Sequence, residues 1–88
     1  MNYADIDILI EEGEGATVEF KRKVTSPEKI VRTLIAFANS HGGNILFGVD
    51  DDGSVYGVRS EKEEVEQIQF AGNILAEPPV PFELHIVP

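Results

Sequence analysis

Residues Asn44-Ile45-Leu46-Phe47-Gly48-Val49 form an almost unbroken apolar run, and no other segment constrains the fold as tightly. Turn formers bracket it, Gly42-Gly43 before and Asp50-Asp51-Asp52-Gly53 after, so it reads as a strand. Successive side chains of a strand point to opposite faces. A half-buried strand would alternate apolar with polar residues, and this one does not, so both of its faces need cover. The rest of the chain has to supply that cover, with Ile45–Val49 at the centre.

The neighbouring segments read as follows. Thr17 to Arg22 alternates as a strand, with Val18 and Phe20 pointing one way and Glu19 and Lys21 the other. Ser26-Pro27-Glu28 is a helix start, a capping hydroxyl followed by proline at the first helical position. Ile30, Val31, Leu34, Ile35, Phe37 and Ala38 continue at helical spacing to about Ser40, where Gly42-Gly43 offers a left-handed C-cap. The Asp-rich turn leads into a brief strand at Ser54–Val58.

Residues 61–76 predict a second main helix. Val65, Ile68, Ala71 and Leu75 lie on its core face, and Glu61, Glu63, Glu64 and Glu66 load its first turns, where the helix dipole favours acid. Pro78-Pro79 stops it, and Phe82 to Val87 alternates as a final strand. Residues 4–12 predict a short N-terminal helix with Ile6, Leu9 and Ile10 as its apolar stripe, although Asp-Ile-Asp-Ile also permits a strand. The expectation is a single α+β domain over residues 1–88, a small mixed β-sheet packed against two main helices. The last strand would be a sheet edge. A sheet that continues beyond residue 88, with the 88 residues a truncated piece of the domain, is therefore expected.

Charge and composition narrow the chemistry. Seven Lys and Arg against 16 Asp and Glu give a net charge of -9, which repels polyanions on average. The basic residues are not spread evenly, however. Lys21, Arg22, Lys23, Lys29 and Arg32 fall within twelve residues, opposed there only by Glu28. Within that patch, Lys21, Lys23, Lys29 and Arg32 are candidates for phosphate contacts; the bland alternative is a solvated face. The absence of Cys excludes disulfides and thiolate chemistry, and two His, His41 and His85, are too few for an ordinary zinc site. No apolar stretch reaches the length of a membrane span and no leader opens the chain, so a cytoplasmic protein without membrane contact is expected.

Three motifs have plain structural readings. No G-x-x-x-x-G-K-[ST] occurs, and Gly42-Gly43-Asn44 follows a helix and precedes a strand, the wrong order for a dinucleotide fingerprint. Ser40-His41 sits at a helix end with no nucleophile elbow around it, and reads as a cap. Asp50-Asp51-Asp52-Gly53 shares residues with the opening of a calcium loop, but its Gly comes too early, and a hairpin turn is the ordinary reading.

Three segments taken together carry more. Glu14-Gly-Ala-Thr-Val-Glu19-Phe20-Lys21 fits E-x-x-x-x-E-F-K. Phe37-Ala38-Asn39-Ser-His-Gly42-Gly43 fits F-A-N-x-x-G-G, and Gly48-Val49-Asp50-Asp51-Asp52-Gly53 fits G-V-D-D-x-G. In this order and spacing the chain resembles the Schlafen-type, Alba-like DNA-binding domain of prokaryotic transcriptional regulators, formerly labelled a divergent AAA-type ATP-binding domain. The resemblance spans about residues 10 to 88. It departs at Gly15, where the family often has a small polar residue, and the family's domain continues past residue 88 with further strand structure.

The resemblance implies a nucleic-acid partner, with DNA first; for such a binding module no cofactor is expected. Its animal branch implies a second possibility, a metal-dependent RNA endonuclease whose three carboxylates match Glu14, Glu19 and Asp50 and would hold Mg²⁺ or Mn²⁺. The ordinary alternative for these three is a Glu19–Lys salt bridge, a solvated Glu14 and a turn Asp50. Topology bears on the choice. If the helix from Pro27 carries the chain back, the strands at 17–22 and 44–49 are parallel neighbours, and Glu19 and Asp50 then stand roughly 10 Å apart along them at ~3.3 Å per residue. A third reading, a protein-interaction or dimerisation module and with it a homo-oligomer, suits the net charge best.

Overall fold

In the computed structural model, which describes residues 1–88, the two strands nearest the middle of the chain do pair. Strand β1 is Val18–Lys21 and strand β2 is Asn44–Phe47. They run parallel, with Val18 opposite Asn44, Glu19 opposite Ile45, Phe20 opposite Leu46 and Lys21 opposite Phe47. Parallel neighbours need a long crossover, and helix α2, Pro27–Ala38, provides it. Helix α1, Tyr3–Glu12, precedes the sheet, and helix α3, Glu61–Phe70, follows it.

Both faces of β2 are covered, as its composition requires. On one face Leu46 joins Val18, Phe20 and Val49 in a cluster closed by Ile6, Leu9 and Ile10 of α1. On the other, Ile45 and Phe47 pack against a larger cluster built from Val24, Ile30, Leu34, Ile68, Ala71, Ala76 and Val80. The sheet is thus the middle of three layers, α1 on one side and α2 with α3 on the other. The α+β class and the two main helices agree with the sequence pattern.

The N-terminal segment resolves as a helix. Asn2 accepts from the Asp5 amide and Asp5 accepts from the Asn2 amide, a reciprocal capping box. Once the segment is helical, the alternation Asp-Ile-Asp-Ile no longer decides which side faces the core. Ile6 turns to the sheet, and Ile8 stays exposed.

Four elements differ from expectation. β2 stops at Phe47, two residues early, because Gly48 turns the backbone to φ 88° and lies so close to Gly57 that a Cβ would meet its backbone at 2.8 Å. The strand expected at Ser54–Val58 shrinks to one antiparallel bridge, Val49 to Val55, so the mixed character of the sheet rests on that bridge alone. The helix expected over 61–76 changes at Ala71 into a wide π-helical turn, Ala71–Leu75. There the Phe82 ring lies directly against Gly72. Residues 82–87 keep their alternating pattern but pair with no strand.

Candidate nucleic-acid interface

Because β1 and β2 are parallel, their carboxyl ends lie on the same side of the sheet. In open α/β sheets this side forms the ligand crevice. Here β1 ends at Lys21, and residues 22–26 connect it to the first turn of α2. The sequence's basic patch therefore runs from that end of the sheet into the first two turns of α2. Two interactions hold the connection in place. The buried Val24 anchors it in the larger core cluster, and the Val24 amide donates to the Glu64 carboxylate of α3 at 2.9 Å. Ser26 stands at the N-cap of α2 as expected, but its hydroxyl makes no capping hydrogen bond.

The cations differ in availability. Lys21 is half-buried, with its ammonium 3.4 Å from a Glu19 oxygen. Lys23, Lys29 and Arg32 are exposed and take part in no ion pair. Lys29 and Arg32 are three residues apart on α2, so they share one side of it. Arg22 was not among the candidates, yet it is the most organised of the group. Its guanidinium lies 4.0 Å from the centroid of the Tyr56 ring. Local sequence does not reveal this stack, because it depends on the hairpin after β2. The Asp50 amide donates to the Ser54 carbonyl, and Gly53 donates back to Asp50, each at 2.9 Å. The returning arm then sets Tyr56, whose amide reaches the Gly48 carbonyl at 2.8 Å, across the end of β1.

The same hairpin brings acid nearby. Asp52 accepts the Ser54 amide at 2.9 Å. Hydrogen bonds from the Ser54 backbone and side chain hold its carboxyl below the usual carboxylate range. Asp52 is thus a fixed negative charge on the hairpin that carries Tyr56.

The three carboxylates matched to a nuclease site are placed separately. Glu14 is exposed and accepts the Phe20 amide at 3.1 Å. Glu19 accepts the Thr33 hydroxyl of α2 at 2.8 Å and also faces Lys21. Asp50 accepts the Asp51 amide at 3.0 Å in the hairpin turn. Glu19 pairs with Ile45, whereas Asp50 lies beyond the end of the ladder. No three His, Asp or Glu side chains come together in a group that could hold a metal ion. In this arrangement the trio does not form the converging oxygen set that Mg²⁺ or Mn²⁺ requires. The geometry contains a Glu19–Lys21 salt bridge and a turn Asp50, whereas Glu14, expected to be solvated in the ordinary reading, is bound to the Phe20 amide.

Ser40 and His41 are exposed at the end of α2, and the Ser40 hydroxyl donates to the Phe37 carbonyl at 3.2 Å, a local cap. No helix is long and apolar enough to cross a membrane.

Set against known proteins, the chain has no significant match among curated proteins or among solved structures. A family model described as "Schlafen, AlbA_2" matches residues 14–88. The matched span begins at Glu14 and takes in both strands, α2, α3 and the basic connection between β1 and α2; only α1 falls outside it. By that match over most of its length, the chain belongs to the Schlafen AlbA_2 family.

Proposed function

We propose that this chain is a nucleic-acid-binding module of a transcriptional regulator, with DNA as its ligand and Lys23, Lys29 and Arg32 as its main phosphate contacts. Membership of the Schlafen AlbA_2 family suggests a nucleic-acid-related role. One observation carries the reading further: in a chain of net charge -9, three exposed cations without ion-pair partners gather on the segment that leaves β1, Lys23 in the connection and Lys29 and Arg32 in the first two turns of α2. The α2 N-terminus adds partial positive charge on the same side. Lys21 contributes less, because Glu19 already neutralises it.

Contacts of this kind position a nucleic acid without reading its sequence. Each one releases counterions, so log affinity should fall with log salt by about 0.9 per contact on duplex DNA. Reversing both Lys29→Glu and Arg32→Glu should weaken binding alike for unrelated sequences and flatten that slope by about 1.8. A salt titration followed by fluorescence anisotropy measures both effects. Unchanged affinity and slope would reduce these side chains to a solvated face.

A second reading, an interaction module, is favoured by one specific feature. Ten large apolar side chains are exposed, among them Ile8, Phe70, Ile74 and Ile86. The same double reversal separates the two readings, because a protein partner held on apolar surface would be indifferent to it.

A further inference from the structure

We infer that Arg22 and Tyr56 form a stacking platform for an unpaired base, which makes single-stranded nucleic acid the preferred ligand of this face. This inference rests on the nucleic-acid reading above and deepens it. Four observations carry it. The guanidinium and the ring are stacked at 4.0 Å, a preassembled flat π surface at the carboxyl end of the sheet. Tyr56 is 57% exposed and Val55 beside it 53%, so neither side chain is committed to the core. The backbone behind Tyr56 is held, since the Tyr56 and Gly57 amides both donate to the Gly48 carbonyl, at 2.8 and 3.0 Å. Lys23, exposed and without an ion-pair partner, follows Arg22 directly and could hold the phosphate next to a stacked base.

Charge then selects between strand states. A duplex presents two phosphate backbones and hides its base faces. To bind here it would have to gain all its affinity from a few cations while approaching the Asp50–Asp52 turn, whose Asp52 stays ionised. An unpaired strand brings one backbone and exposes base faces. Stacking on an aromatic or guanidinium plane is largely independent of the surrounding acid and tolerates any base. Where phosphate contacts are few, stacking decides the preference.

The test uses the full 88-residue chain with three labelled probes: oligo(dT) of about twelve nucleotides, an abasic strand of equal length and charge, and a duplex of that length. Oligo(dT) should bind about tenfold or more tightly than the abasic strand, and more tightly than the duplex. Tyr56→Ala should remove the oligo(dT) advantage and leave abasic binding and its salt slope unchanged. Tyr56→Phe, which keeps the ring, should retain the advantage. A direct optical readout is also available. The chain has no Trp and two Tyr, so in a Tyr3→Phe background Tyr56 is the only emitter, and oligo(dT) should quench it where the abasic strand does not.

Equal binding of oligo(dT) and abasic strand, with sensitivity to Lys29 and Arg32 reversal intact, would overturn the stacking platform and leave the phosphate-contact reading standing. Loss of the oligo(dT) advantage in Tyr56→Phe as well would overturn it too, since the ring would not be the cause. If none of the three probes binds at low salt, both readings fall together.

Discussion

At the scale of single residues, hydrogen bonding matters more here than sequence position. Asp50, Asp51 and Asp52 are consecutive, yet Asp52 alone accepts the Ser54 amide, and hydrogen bonds from Ser54 hold its carboxyl below the usual carboxylate range. The consequence for pH has a definite sign. A carboxyl whose pKa is lower when folded stabilises the fold fully above its unfolded pKa, and that contribution disappears as pH falls through the folded value. Asp52→Asn keeps an acceptor for the turn and removes the charge. Wild type should therefore gain stability relative to Asp52→Asn as pH rises from about 2 to about 6, across the usual carboxylate range. Urea unfolding of both proteins over that interval measures it. Were repulsion from the other acidic side chains the larger influence on Asp52, the trend would run the other way. Residue-scale detail was partly legible in sequence. The turn chemistry at Asp50–Gly53 could be read directly, but the Arg22–Tyr56 stack and the Glu19–Thr33 hydrogen bond could not, since each joins residues far apart in sequence whose meeting depends on the fold.

At the scale of elements, what was legible was what is local. The α2 boundaries, the two central strands and the α1 stripe follow from periodicity and caps, and the structure contains them within a residue or two. What was not legible depends on contacts across the chain: the π-helical turn at Ala71 meets Phe82, and β2 is shortened at Gly48 by its contact with Gly57. The separation of Glu19 from Asp50, by contrast, follows from the parallel pairing that the α2 crossover already implied: Glu19 stands opposite Ile45 and Asp50 lies beyond the ladder. β2 itself requires one further correction. It is covered on both faces but paired along one edge only. The Asn44 and Gly48 amides bond into β1, so the intervening Ile45 and Phe47 amides point away from it. Its most buried side chain is Leu46, 6% exposed, whereas Phe47 is half-buried. Leu46→Ala should therefore cost about 2–5 kcal/mol and exceed the cost of Phe47→Ala. For a chain whose total stability is roughly 4–13 kcal/mol, the first change alone can approach unfolding. Denaturant midpoints of the two variants rank them, and a larger loss from Phe47→Ala would contradict the assigned layering.

At the scale of the whole molecule, thin burial and one-sided charge act together. Only 13 of 88 residues are buried, so the core has little surplus to offset an unfavourable surface. The accessible surface is 5951 Å², against about 5,100 Å² expected for a monomer of this mass. The excess, roughly 800 Å², is comparable to one side of a standard protein interface. On that extended surface sits a net charge of -9, and like charges confined to a compact state repel more than in the unfolded chain. Salt screens this repulsion over about 10 Å at 0.1 M. Raising sodium chloride from about 0.01 M to about 0.2 M should therefore raise the melting temperature by a few degrees, since about 1 kcal/mol corresponds to ~4–8 °C in a domain of this size. The same salt should weaken nucleic-acid binding, because there it competes with the basic patch for phosphates. The two responses must have opposite signs if the molecule is an acidic body with one basic face. Parallel melting and binding titrations decide the matter. A melting temperature that falls with salt would mean that the local ion pairs outweigh the global repulsion, and that the charge distribution described here does not govern stability.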